Sequence, residues 1–205
     1  MGFGLLLLGY MTALSFFPDL SAIFLYIGST VFIPLAGGFI IFAAFRKLQE
    51  YNIYFKIMKY ISVIYILVLL GFTPFLIVER SEEVMQNYIY MSKIIKIFLL
   101  FVFHYFMLSG IYALAKSIDN GKILRSARFN IYFTYIYFGL NILGIFDFVN
   151  MYYILTVLAL TLIYFFKNLI CIYRCFMQIT YKGYDEELER KFEEKAQRRK
   201  NKNLK

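Results

Sequence analysis

Long apolar blocks separated by short polar connections run the length of the chain. Blocks of this kind with few charges are the pattern of membrane-crossing helices. Six are legible, at about residues 3–17, 22–45, 57–78, 89–115, 129–146 and 151–177. The first lies near the lower limit of about 17 residues for a full span. It contains Gly9 and Ala13, a small-xxx-small pair suited to close helix contact. Pro18, Asp19, Leu20 and Ser21 then form a turn, with Asp19 or Ser21 placed to cap the second helix. Ser81 is placed to cap the fourth, with Glu82 and Glu83 in its first turn, where carboxylates suit the helix dipole. Only Asp147–Asn150 separates the last two blocks, so these must form an antiparallel hairpin.

The connections alternate in charge. Arg46, Lys47, Lys56 and Lys59 surround one of them, and Lys116, Lys122, Arg125 and Arg128 another. Nine further basic residues follow Met177. The intervening connections carry no basic residue except Arg80. A membrane protein keeps its basic loops in the cytoplasm. The expectation is therefore an all-α, polytopic integral membrane bundle of about six transmembrane helices. Both termini should be cytoplasmic, in a cell membrane.

Residues 1–180 make up this bundle, and residues 181–205 a charged cytoplasmic tail helix. In the tail, Glu186/Arg190 and Glu187/Lys191 stand at the supportive i,i+4 spacing. No basic leader with a small-residue cleavage site precedes the first block, so that block is read as retained.

Composition agrees. The chain is 61% hydrophobic and 21% aromatic, with a mean hydropathy of +0.64. A net charge of +9 raises the question of nucleic acid, but the basic residues sit between apolar blocks, as membrane topology requires. The expected partners are the lipid bilayer and either another membrane protein or a second copy, with no nucleic acid. The abundance of Ile, Phe, Tyr, Lys and Asn points to an AT-rich bacterial genome.

Candidate chemistry is sparse. Two cysteines, Cys171 and Cys175, and one histidine make neither a disulfide framework nor a zinc cluster. No phosphate-binding loop, metalloprotease motif or acidic cluster is present. No catalytic residue, cofactor or metal is expected, and an enzyme finds no support.

The most informative pattern is a stripe on the fifth block. Asn130, Thr134, Tyr137 and Asn141 are spaced i, i+4, i+7 and i+11, which puts them on one helix face. Polar groups in hydrocarbon need partners, so this face should point into the bundle. It serves either as interhelical hydrogen bonding, the commoner fate of such residues, or as the lining of a ligand path. The sixth block carries Thr161, Tyr164 and Asn168 on one broad face. His104 lies deep in the fourth block, where an ionisable side chain is a functional candidate. Lys93 and Lys96 nearby are placed to snorkel to the outer interface.

The candidate ligand-binding residues are therefore His104, Asn130, Thr134, Tyr137, Asn141 and Asn168. The expected function is a small-solute binding or transport module. The alternative is a structural or regulatory subunit that docks through its helices and tail.

Overall fold

The computed structural model describes residues 2–12, 32–77, 82–144, 150–180 and 190. The described residues are helical, with short turns between. They form α1 (Gly2–Thr12), α2 (Phe32–Leu48), α3 (Ile53–Ile77), α4 (Glu82–Ser117), α5 (Gly121–Leu143) and α6 (Met151–Cys175), followed by a π-helical turn, Phe176–Thr180. Expected features at Asp19, Ser21, Ser81 and Asp147 lie outside the described residues, as does most of the tail.

Three asparagines start three of these helices by one device. Asn52 Oδ1 accepts from the Phe55 amide at 3.1 Å, Asn120 Oδ1 from Ile123 at 3.2 Å, and Asn150 Oδ1 from Tyr153 at 2.8 Å. Each side chain satisfies an amide that the first turn leaves without an intrahelical acceptor. Two of the caps also tie helices together. Asn52 Nδ2 donates to the Gly110 carbonyl of α4 at 3.0 Å, and Asn120 Nδ2 to Gln178 of the π turn at 2.7 Å. Asp119, with φ of 54°, turns the chain between α4 and α5.

The cap at Asn120 moves one expected boundary. α5 begins at Gly121, not near Phe129. Lys122, Arg125 and Arg128 therefore stand on its first turns instead of in a loop. No glycine or proline separates them from the apolar run, so nothing stops the helix there. Likewise α3 starts at Ile53, and Lys56 and Lys59 ride on it.

The helices pack in chain order, each on the next, and α6 with its π turn packs back onto α1. Among the described residues the six helices close a ring. Its interior is a continuous cluster that includes Phe3 and Leu6 of α1, Phe45 of α2, Phe55 of α3, Phe103 of α4 and Ile172 of α6. Glycine sets the α1–α2 spacing. A methyl group on Gly9 would come within 2.7 Å of Ile41, and one on Gly2 within 2.6 Å of Leu48.

The outside is equally apolar. Leu8, Phe39, Leu67, Phe98, Tyr132 and Ile163 are exposed, while Ser62, His104, Asn130, Thr134 and Asn168 are buried. Apolar outside with polar inside is the arrangement that lipid selects. Three helices are long and apolar enough to cross a membrane, over Ile53–Gly71, Lys93–Ser117 and Met151–Ile179.

Candidate functional site

All six of the candidate residues are buried. The α5 stripe faces α6, and the two helices read each other in one antiparallel register. Asn130 Nδ2 donates to Asn168 Oδ1 at 3.1 Å. Thr134 Oγ1 and the Tyr164 hydroxyl are 2.7 Å apart. Thr161 Oγ1 and the Tyr137 hydroxyl are 3.2 Å apart. In each pair the two residue numbers sum to 298, so these are three rungs of one ladder.

The second and third rungs are reciprocal. Each helix carries a Thr-x-x-Tyr pattern, Thr134 to Tyr137 on α5 and Thr161 to Tyr164 on α6. The Thr of one helix meets the Tyr of the other, and the two phenol rings stack with centroids 4.6 Å apart. Each Thr also donates to the carbonyl one turn back in its own helix, Thr134 to Asn130 and Thr161 to Val157, both at 2.8 Å. A hydroxyl has one proton. With the Thr134 proton used on its own helix, the Tyr164 hydroxyl is the donor in the second rung.

The fourth member of the stripe behaves differently. In the same register Asn141 falls opposite Val157, which has no polar side chain. Asn141 Nδ2 instead donates to the Tyr137 carbonyl of its own helix at 3.0 Å. Beyond it, the Tyr153 hydroxyl donates to the Leu140 carbonyl and holds the C-terminal end of α5.

His104 extends the network to α4 and α1. Its Nδ1 lies 2.8 Å from the Leu100 carbonyl and its Nε2 lies 3.1 Å from the Tyr10 hydroxyl. A carbonyl only accepts, so Nδ1 carries the proton, and the Tyr10 hydroxyl donates to Nε2 of a neutral imidazole. Tyr10 also stacks on Phe165 of α6, and His104 lies against the Tyr164 ring. Tyr10 is the member that sequence reasoning missed. Apart from Thr12 at its end, α1 carries no other polar side chain, so no polar periodicity marks Tyr10; its one signal is a hydroxyl within a short apolar block.

Asn168 is the junction. Its Oδ1 accepts from Asn130, and its side chain lies close to the phenols of Tyr10 and Tyr164. Yet Asn168 Nδ2 is buried and makes no hydrogen bond.

The remaining expected features fall outside this network. Lys93 is exposed and Lys96 half-buried on α4. Cys171 and Cys175 are free thiols, both buried. Among the described residues no three His, Cys, Asp or Glu side chains come together as a metal site. The network is built from amides, alcohols, phenols and one imidazole, groups that donate and accept hydrogen bonds. Comparison with protein-family models, with curated proteins and with solved structures finds no match to this chain.

Proposed function

We propose that this chain is a six-span cell-membrane protein with both termini cytoplasmic, and that it binds and passes a small uncharged polar solute at the junction of α1, α4, α5 and α6. The topology rests on the basic residues after α2, around the start of α5 and in the tail. The solute site rests on one atom. A buried donor left short of a hydrogen bond costs about 1–3 kcal/mol, and Asn168 Nδ2 is buried with no acceptor at hydrogen-bonding geometry, although the phenols of Tyr10 and Tyr164 lie close by. A solute carrying both an acceptor and a donor, such as an alcohol or an amide, complements that set.

Asn168→Leu separates the solute site from packing. It removes the amide while keeping the same branched arrangement of heavy atoms, and Asn130 keeps its second bond, to the Lys167 carbonyl at 3.0 Å. Thermal stability should stay within about 1 kcal/mol of the parent. Stopped-flow light scattering on proteoliposomes under glycerol and urea gradients should show solute entry with the parent protein and lose it with the variant. Equal traces for parent proteoliposomes and protein-free vesicles would end the solute reading.

A second reading has its own support. Most of the buried polar groups satisfy one another, which is what a purely structural network does. On that reading the chain is a structural or regulatory subunit whose helices and tail dock on another membrane complex. Deleting residues 184–205 should then abolish co-purification of a partner; a partner retained by the truncated chain would count against it.

A further inference from the structure

The outer surface of α4, α5 and α6 carries a feature that the interior network does not use. Arg128 of α5 and Lys167 of α6 are both exposed among large apolar side chains such as Phe129, Tyr132 and Phe166, with exposed Arg125 and Arg174 nearer the helix ends. Each cation rests against an aromatic ring of the neighbouring helix. Arg128 donates to the Tyr112 hydroxyl of α4 at 3.2 Å, with its guanidinium carbon 5.7 Å from the centre of that ring. Lys167 Nζ lies 5.5 Å from the centre of the Phe129 ring of α5. Cation–π contacts of this kind hold a charge in place without neutralising it.

The two cations stand at one depth. Asn130 bonds the backbone carbonyl of Lys167, which puts Lys167 level with the residues just after Arg128. Arg128 is seven residues into α5, and Lys167 eight residues before the end of α6. At about 1.5 Å per residue both sit roughly 10–12 Å in from the helix ends. Phe129 and Tyr132 beside them are 54% and 64% exposed, so the surround is lipid-facing aromatic surface. Among the described residues no carboxylate pairs with either cation. On the membrane reading, a charge set among lipid-facing side chains is expensive unless an anion meets it. The anion available there is a phospholipid phosphate, and a guanidinium presents a planar fork that matches one.

We infer that Arg128 and Lys167, set on the rings of Tyr112 and Phe129, form a binding site for the headgroup of an anionic phospholipid of the phosphatidylglycerol class. This rests on the membrane reading of the outer surface and is independent of the solute site.

The chain has no Trp, so Phe129→Trp places a single fluorescent reporter in the site itself. In liposomes of mixed phosphatidylglycerol and phosphatidylcholine, brominated phosphatidylglycerol should quench this Trp well beyond brominated phosphatidylcholine. Equal quenching overturns the site. Arg128→Gln with Lys167→Gln in the same reporter should cut the preference about fivefold per cation removed; an unchanged preference also overturns it. Arg46→Gln with Lys47→Gln lowers the net charge equally at α2 and should leave the preference intact. A loss as large as that of the site variant would mean bulk attraction and no local site. Excess inorganic phosphate should not displace the lipid. If it erases the preference, the surface reads free phosphate and the lipid assignment fails.

Discussion

The α1–α2 and α5–α6 seams hold the same ring by opposite means. Between α1 and α2 the glycines at 2 and 9 let one helix lie almost on the backbone of the other, with Ile41 and Leu48 filling the space. Between α5 and α6 the helices are spelled together by three polar rungs. Water is not there to press helices together inside a bilayer, so shape and hydrogen bonds are the available means. The two kinds of seam fail differently. A shape contact tolerates no added volume, whereas a ladder loses one rung at a time.

Three changes test that difference. Gly9→Leu should have the largest effect, because even its Cβ would meet Ile41 at 2.7 Å and the backbone nitrogen of Ile41 at 3.1 Å. A loss of about 3 kcal/mol is expected from overpacking a close contact, read as a collapse of the detergent melting transition. Thr134→Val should cost less, about 0.6–1.7 kcal/mol. A double-mutant cycle with Tyr164→Phe isolates the rung, and a coupling of zero would show that the 2.7 Å contact carries no energy. The smallest effect is a gain. Val157→Asn supplies the partner that Asn141 lacks in the ladder register, and should add about 0.6 kcal/mol to stability in SDS unfolding. A loss instead would show that the register ends before Asn141.

The α5 stripe is legible in the sequence because helical periodicity alone brings Asn130, Thr134, Tyr137 and Asn141 to one face, and a polar face on a largely apolar helix turns to where its groups find partners. The ladder is not legible. It depends on how two helices are offset, and that offset is fixed by packing and by the Asn150 cap, not by either helix alone. Asn141 shows the limit well. Its spacing is as regular as that of its neighbours, yet its side chain returns to its own helix because the opposite position is Val157. Tyr10 shows another limit, since its partner lies 94 residues away. The early start of α5 is hidden because basic residues on a first turn resemble a loop, and only the Asn120 cap marks the helix start.

Closure of the ring also imposes an order of events. Gly4 of α1 lies against Phe176 of the π turn, at 3.1 Å for a methyl group placed on the glycine. These residues are 172 apart in the chain. At about 5–20 residues per second, synthesis of that interval takes roughly 10–35 s. Through that time α1 has α2 to lie against but not α6, and for the first half of it the Tyr10 hydroxyl has no His104 to meet. The first helix is thus a waiting part, held by its glycines until the last one arrives. Assembly of the interior network is a late event that a stalled or shortened chain does not reach.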